Sequence, residues 1–231
     1  GELNYVSDVD VMYVLADSAP TEAAELTRLR LERATRIASL VASICSSPSK
    51  EAPLWSVDAN LRPEGRDGAL VRTIDSYRAY WDRWAQNWEF QALLKARPCA
   101  GDMEVGARFL EYAAPFIWEA SARPGFVDDV RSMRAQVENS VPPKVRDSEL
   151  KLGVGGLRDI EFSIQFLQLV HGRNDIQIRQ RSTLGALEAL SARGYIARAD
   201  AANLREAYAF LRTLEHRSQL LRMHRTHTLP T

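Results

Sequence analysis

The sequence has little cysteine, no long apolar run and no secretory leader. Its 231 residues include only two cysteines, Cys45 and Cys99, which stand apart and form no CxxC or histidine-rich cluster. This isolation predicts two reduced thiols rather than a disulfide or a zinc site. No apolar run approaches the roughly 18 residues that a membrane span needs, and no signal peptide opens the chain. These absences predict a cytoplasmic protein with no membrane partner.

An excess of charge of one sign is also absent, because 30 basic residues balance 30 acidic ones. The chain as a whole therefore has no general attraction for nucleic acid, and any anion site must be local. The composition is 45% hydrophobic and 26% charged, as in an ordinary globular protein. The chain begins at Gly1 without a start methionine. We expect it to be a fragment of a longer polypeptide.

The pattern of apolar residues predicts an α+β protein. Strands are expected at 9–16, 54–61 and 69–73, with a helix over 21–45 between the first two. Further helices are expected near 75–86, 88–97, 102–120, 125–139, 157–171, 183–193 and 198–224, with a short strand at 149–152. Trp81, Trp84 and Trp88 recur at helical spacing, which predicts core packing. We expect a small mixed sheet with helices over 1–120 and a mostly helical bundle over 121–231.

Two aspartates, Asp8 and Asp10, are embedded at the start of the first predicted strand. Residues two apart on a strand lie on the same face, so the two carboxylates are expected side by side. Such a pair is costly unless a cation neutralises it, and Mg²⁺ prefers carboxylate oxygens. Asp58, in the second predicted strand, could complete a two-metal clamp for phosphoryl transfer. The alternative is three solvated acids at strand ends.

Basic side chains follow these acids along the sequence. Arg62 and Arg66 lie in a turn rich in proline, glycine and charge, and arginine forks suit phosphate oxygens. Lys95 and Arg97 end the helix predicted at 88–97. They either complement the helix dipole or hold phosphate. Each of the four is also compatible with a simple solvated surface role.

A glycine-rich turn, Gly153 to Gly156, precedes the helix predicted at 157–171. It lacks the Lys-Ser/Thr of a P-loop and the spacing of a dinucleotide-binding loop. On the following helix, Arg158 and Glu161 share one polar stripe. This stripe is either a solvated face or a surface that closes over the site.

Four motifs in order resemble one known family. They are ELNYVSDVD at 2–10, VDANLRPEG at 57–65, WEFQALLKAR at 88–97 and KLGVGGLRDIEF at 151–162. Together they resemble the bifunctional glutamine synthetase adenylyltransferase/adenylyl-removing enzymes. That family carries two nucleotidyltransferase halves of the DNA polymerase β type, each followed by a helical bundle. The last motif is similar to that of the N-terminal, adenylyl-removing half, since the adenylylating half usually lacks its arginine.

The resemblance implies removal of AMP from a tyrosine of glutamine synthetase. Phosphate would attack the AMP phosphorus and release ADP, in control of nitrogen assimilation. Mg²⁺ would be the cofactor, with two ions possible and Mn²⁺ as a substitute. Partners would be glutamine synthetase, phosphate, ADP or ATP, and a nitrogen-signalling regulatory protein. The implied metal ligands are Asp8, Asp10 and Asp58, and the implied nucleotide or phosphate contacts are Ser7, Arg62, Arg66, Lys95, Arg97, Arg158 and Glu161.

The sequence departs from the family at its start. Gly1 stands where the family has an arginine, and the glycine-rich stretch that comes before it is missing. The nucleotidyltransferase core is therefore expected to be N-terminally truncated, and the chain alone is expected to fold without being active. Three alternatives stay open: adenylylation with ATP, uridylyl transfer to a small nitrogen-signalling protein, and a non-catalytic regulatory or docking module.

Overall fold

Short parallel strand pairs form the β structure of the protein. Its structure is a computed structural model that describes residues 2–19, 21, 23–47 and 55–230. Strand β1 (Ser7–Asp10) pairs with β3 (Trp55–Asp58), and β2 (Tyr13–Leu15) pairs with β4 (Val71–Thr73). Both pairings are parallel, so a crossover must connect the paired strands.

Helices make up most of the remaining described chain. Helix α2 begins at a threonine cap, because the Thr73 hydroxyl accepts a hydrogen bond from the Ser76 N–H at 3.3 Å. Helix α7 begins in the same way, with the Ser182 hydroxyl accepting from the Gly185 N–H at 3.1 Å. The helices are α1 (Ala24–Ser46), α2 (Ile74–Arg83), α3 (Asn87–Leu93), α4 (Met103–Glu119), α5 (Phe126–Asn139), α6 (Leu157–His171), α7 (Thr183–Ala192) and α8 (Arg198–Arg222). The predicted α+β class is confirmed.

The chain divides into two compact units, and neither is continuous in sequence. The strand unit consists of Ser7–Gln86 and Ala96–Phe116. The helical unit consists of Gly1–Val6, Asn87–Lys95 and Ile117–Thr231. The predicted sequential domains, 1–120 and 121–231, stay a prediction.

Each unit has its own core. In the strand unit the rings of Tyr77, Trp81 and Phe109 lie 5.1 to 5.6 Å apart by their centroids, as aromatic clusters prefer. In the helical unit, buried side chains of α6, α7 and α8 meet in one cluster with Ile178 of the segment between α6 and α7. The members are Leu157, Ile160, Ile164, Ile178, Ala186, Leu187, Leu190, Ala201 and Tyr208. The 3.6-residue spacing along these helices places their apolar side chains on one face.

Several predicted elements are shorter in the structure. The strand expected at 9–16 is two strands. Its pairing with β3 ends where the Val11 N–H donates to the Asp58 carbonyl at 2.7 Å, and the chain then pairs with β4. The strand expected at 54–61 is Trp55–Asp58, and Leu54 lies outside the described residues. The strand expected at 149–152 is reduced to one bridge, between Glu149 and Thr228.

The prediction of three core tryptophans is wrong for two of them. Trp81 is buried, but Trp84 is 69% exposed and Trp88 is 38% exposed. The reason is that α2 ends at Arg83 and α3 starts at Asn87, so the three residues do not share one helical face. Among the described residues, no helix is long and apolar enough to cross a membrane.

Candidate functional site

The aspartates lie on two strands that pair. Asp8 and Asp10 lie two residues apart on β1, so they share one face. The parallel register places Asp10 beside Asp58 and Asp8 beside Ser56. Neighbours in register point to the same side of a sheet, so all three carboxylates project from one face of the β1–β3 pair. Asp8 and Asp58 are half-buried and Asp10 is exposed.

The end of β3 orients Asp58. Its Oδ1 accepts a hydrogen bond from the Asn60 N–H at 2.7 Å, and its carbonyl accepts one from the Val11 N–H at 2.7 Å. The first contact holds the carboxylate against the turn that follows β3, and the second continues the pairing with β1. One carboxylate oxygen of Asp58 therefore serves the turn, and the other is the one suited to a ligand.

The carboxylates do not converge into one cage. Within the described part of the chain, no three His, Cys, Asp or Glu side chains are grouped closely enough to hold a metal ion. Mg²⁺ is commonly held by one or two carboxylates, with water and substrate phosphate oxygens completing its shell. The adjacent pair Asp10 and Asp58 suits that kind of site. The two-metal clamp that also uses Asp8 stays a prediction.

The turn after β3 uses Arg62 for its own structure. The guanidinium donates to three carbonyls, those of Ala59 at 2.8 Å, Gly68 at 3.0 Å and Arg66 at 3.0 Å. Residue 64 has a left-handed backbone, with φ of 63°, and Arg62 holds this tight turn closed. Its donors are engaged, so a phosphate role for Arg62 would compete with the turn.

Three other predicted contacts lie elsewhere in the strand unit. The Arg66 side chain is exposed. The exposed Arg97 donates from NH1 to the Pro98 carbonyl at 3.5 Å. The Ser7 hydroxyl donates to the Asp8 carbonyl at 3.0 Å, beside the aspartate pair. Ser7 precedes Asp8 in β1, where alternation places its side chain on the opposite face of the strand, and its role as a nucleotide contact stays a prediction.

The remaining predicted residues, Lys95, Arg158 and Glu161, belong to the helical unit. Lys95 donates to the Glu2 carboxylate at 2.5 Å and to the Thr183 hydroxyl at 2.9 Å. Burial acts to raise the pKa of Glu2, but the hydrogen bond and charge of Lys95, with two hydrogen bonds from Thr183, outweigh it and lower that pKa. In this structure Lys95 fastens residue 2 to the start of α7.

Within residues 150–156, which contain the glycine-rich turn, most N–H groups donate to protein acceptors. Carboxylates cap its two ends, and carbonyls of the turn itself take the first N–H groups of α6. The bonds are Lys151 and Leu152 N–H to Glu149 Oε1, Gly155 N–H to Asp159 Oδ2, Gly156 N–H to the Gly153 carbonyl, Leu157 N–H to the Leu150 carbonyl and Arg158 N–H to the Lys151 carbonyl. A phosphate-cradling loop needs free N–H groups. Because most of its N–H groups are engaged, the turn serves chiefly as a scaffold.

Asp159 is the centre of this scaffold, and the sequence analysis did not select it. Besides the Gly155 N–H at 2.7 Å, it accepts two hydrogen bonds from the Arg134 guanidinium, one of them at 2.7 Å. A Cβ at Gly153 would lie 2.6 Å from the Glu149 carbonyl oxygen, so only glycine fits there. The available sequence signal for this role was an aspartate four residues after Gly155, the first of two consecutive glycines.

Arg158 and Glu161 start the polar stripe of α6. Their side chains are 3.6 Å apart at the nearest N and O atoms, and the guanidinium also lies over the Phe162 ring at 5.4 Å. Glu161 accepts a hydrogen bond from the Tyr208 hydroxyl at 3.3 Å. Burial, followed by the charge of Glu161, raises the pKa of Tyr208, so the phenol stays a donor. The stripe faces other charged groups of the helical unit.

Comparison with known proteins adds to this geometry. A family model described as "Glutamate-ammonia ligase adenylyltransferase" matches residues 1–112, and one described as "GlnD PII-uridylyltransferase" matches residues 131–231. Both descriptions name enzymes that transfer nucleotides, so each of the two matched parts of the chain is similar to nucleotidyltransferases. Similar proteins occur in Streptomyces avermitilis (55% identical over 229 residues), Cutibacterium acnes (52% over 229) and Corynebacterium efficiens (53% over 230).

Each of these three relatives is named a bifunctional glutamine synthetase adenylyltransferase/adenylyl-removing enzyme. The chain is similar to members of this family, as the sequence resemblance predicted. The matches cover 99% of this chain and 22%, 23% and 20% of the three relatives. The chain thus spans about a fifth of the length of the curated relatives it matches.

Proposed function

We propose that the chain provides the nucleotidyltransferase carboxylates of an enzyme that removes AMP from adenylylated glutamine synthetase, in control of nitrogen assimilation. The observation that carries this proposal is the register of β1 and β3, which puts Asp10 beside Asp58 with Asp8 on the same face. The names of relatives that match 99% of the chain supply the substrate. The aspartates provide the chemistry that such a substrate requires.

The proposed reaction is phosphorolysis. An oxygen of hydrogen phosphate forms a bond to the AMP phosphorus while the bond from that phosphorus to the tyrosine oxygen breaks. The products are ADP and the tyrosine hydroxyl, which takes the proton that the hydrogen phosphate carried. Mg²⁺ would supply positive charge to the phosphate oxygens when bound. Asp10 and Asp58 would hold it, and Asp8 would bind it directly or through water.

The choice of the adenylyl-removing direction rests on the KLGVGGLRDIEF motif. Its arginine, Arg158, is the residue in which this chain is similar to the removing half. Arg158 has a loose ion pair to Glu161 at 3.6 Å, a distance beyond a normal hydrogen bond. Its donors are therefore suited to a phosphate oxygen. This feature supports removal over the adenylylating direction with ATP.

The test uses the full-length enzyme with AMP-modified glutamine synthetase, Mg²⁺ and phosphate. We expect ADP release, and we expect Asp10→Asn and Asp58→Asn each to lower its rate by about 100-fold or more, since both would position the metal. Asp82→Asn is the matched control, because Asp82 is an exposed aspartate on α2 of the same unit. Its rate should stay within about twofold of the wild type.

The alternatives give different products. AMP transfer from ATP to unmodified glutamine synthetase, with no ADP release from the modified form, would mean that the adenylylating direction is correct. UMP transfer from UTP to a small signalling protein would favour uridylylation, which the family match over residues 131–231 raises. Unchanged deadenylylation in both aspartate variants would leave a regulatory or docking module, one that binds glutamine synthetase, a nitrogen-signalling protein, or both.

A further inference from the structure

Lys151 is a charged residue of the helical unit that the proposed reaction has not used. It is the first residue of the KLGVGGLRDIEF motif and is half-buried. Among the described residues, its ammonium group makes no hydrogen bond and no ion pair within 4.0 Å. Buried lysines are normally paired, because an unpaired ammonium loses hydration without compensation. An unpaired Lys151 therefore needs an explanation.

The charged neighbours of Lys151 do not neutralise it. They are two arginines, Arg158 and Arg225, and two acids, Glu161 and Glu215. Two positive neighbours oppose the attraction of the two negative ones. The charge of the cluster with Lys151 is therefore net positive, since three cations stand against two carboxylates.

Both carboxylates already have partners of their own. Glu215 is fully buried, and its two oxygens contact His227 Nδ1 at 2.7 Å and Arg212 NH1 at 2.9 Å. Glu161 accepts the Tyr208 hydroxyl at 3.3 Å. These contacts orient the acids toward other groups. They leave the donors of Lys151 without an acceptor in the part of the chain that the structure describes.

The electrostatic consequence agrees with the geometry. Burial lowers the pKa of Lys151, and the positive charge of Arg158 lowers it further. Both causes disfavour the ammonium form in the protein as it stands. An anion bound by the two cations would offset both effects, since it attracts each charge and accepts their hydrogen bonds.

The turn scaffold fixes the two cations together. The Arg158 N–H donates to the Lys151 carbonyl at 2.9 Å, which joins the two ends of the glycine-rich turn. The glutamate at 149 and the aspartate at 159 cap the turn from outside. Most N–H groups of the turn already bond within the protein, and the side chains of Lys151 and Arg158 are the charged donors that a ligand could use. The turn thus brings the backbones of Lys151 and Arg158 together, and the charge of Arg158 is close enough to lower the pKa of Lys151.

We propose that Lys151 and Arg158 form an oxyanion site that binds a phosphate group. This inference deepens the proposed function and rests on it for the class of ligand. The phosphate group is either inorganic phosphate or a phosphate of ADP. Lys151 contributes a point charge with three donors, and Arg158 contributes a planar fork. Like Asp159, Lys151 was not among the site residues predicted from the sequence.

Binding to the 231-residue chain tests this site without any turnover. Isothermal titration with inorganic phosphate, and separately with ADP, is run at constant ionic strength against a chloride blank. We expect Lys151→Met to weaken binding by at least about tenfold, as loss of a charged hydrogen bond does, and Lys151→Arg to keep most of it. Lys144→Met is the matched control, because Lys144 is an exposed lysine near the same turn. It should bind as the wild type does.

The thermal midpoint in the absence of ligand separates a site from a folding defect. Removing an unpaired buried charge should leave the midpoint of Lys151→Met equal to or above that of the wild type. If Lys151→Met weakens the binding of phosphate alone, the site is assigned to inorganic phosphate. If it weakens the binding of ADP alone, the site is assigned to the nucleotide. Equal affinities of wild type and Lys151→Met for both ligands would overturn the proposal. So would absence of binding by the wild type. Neither result depends on whether the enzyme releases ADP from glutamine synthetase.

Discussion

Replacement of Asp159 by alanine should destabilise the helical unit measurably. The carboxylate holds the glycine-rich turn through the Gly155 N–H and holds α5 through Arg134. The side chains of Arg134 and Asp159 are 19% and 28% exposed, so their pair is intermediate between a surface pair and a buried one. The pKa of Arg134 is raised, chiefly by its hydrogen bond to Asp159. The ion pair is thus favourable in the folded state.

The magnitude follows from what the alanine variant loses. Surface ion pairs contribute about 0 to 1 kcal/mol, and breaking a fully buried pair costs about 3 to 5 kcal/mol. At this partial burial we expect a loss of about 2 to 3 kcal/mol for Asp159→Ala. Part of that loss arises because the Arg134 Nε and NH2 donors would lose their acceptors, while NH1 is already buried without a hydrogen-bond partner among the described residues. Asp159→Asn should cost less, about 1 to 2 kcal/mol, since one acceptor oxygen remains.

Urea unfolding followed by far-UV circular dichroism measures the free energy, and hydrogen exchange of the Gly155 amide reports the turn directly. Faster exchange at Gly155 should accompany the loss. Asp147→Ala is the control, because Asp147 is an exposed aspartate just before the turn. We expect it to change the free energy by less than about 0.5 kcal/mol. An Asp159→Ala protein as stable as this control would refute the assignment of Asp159 as the clamp.

Three further outcomes test the description of the two units. Gly153→Ala should cost about 2 to 3 kcal/mol by urea unfolding, since its Cβ would lie 2.6 Å from a backbone oxygen. Gly155→Ala, with φ of +73° and open space around it, should cost only about 1 kcal/mol. The folded pKa of Glu215 is lowered from 4.5, because its hydrogen bond with His227 and the charges of Arg212, His227 and Lys151 outweigh the opposing effect of burial. The contribution of Glu215 to stability is therefore present above pH 4.5 and is lost as the pH falls through the lowered pKa. In thermal scans, Glu215→Gln should make the midpoint depend less on pH in that acid range. Arg62→Met should lower the free energy of unfolding by about 2 kcal/mol, because the hydrogen bonds to three carbonyls are lost. Arg66→Met, at an exposed side chain, should be near neutral in the same unfolding assay.

The helices were predictable because their information is local. Apolar residues at helical spacing predicted α4, α5, α6 and α7 to within one or two residues of their observed ends. Strand limits were less predictable, because pairing decides them. The run at 9–16 looks continuous in sequence, yet it changes its partner from β3 to β4 at its middle.

The two aspartates of β1 show the same difference between what is local and what depends on tertiary contacts. Sequence alone determined that Asp8 and Asp10 share a face, since alternation along a strand depends only on the backbone. Only the tertiary structure decided that Asp58 stands beside Asp10, because the register of two strands is a contact between distant parts of the chain. The metal role of the three residues stays a prediction.

The basic residues depended still more on the tertiary structure. By itself the sequence determined a local excess of arginine around the acids and a glycine-rich turn before α6. It did not decide which cations are already used. Arg62 is engaged by three carbonyls and Lys95 by Glu2. Lys151 is placed among four charges and has no hydrogen-bond or ion-pair partner among the residues described by the structure. The energy of a charge depends on burial and on neighbours brought from far along the chain, and those exist only in the folded protein.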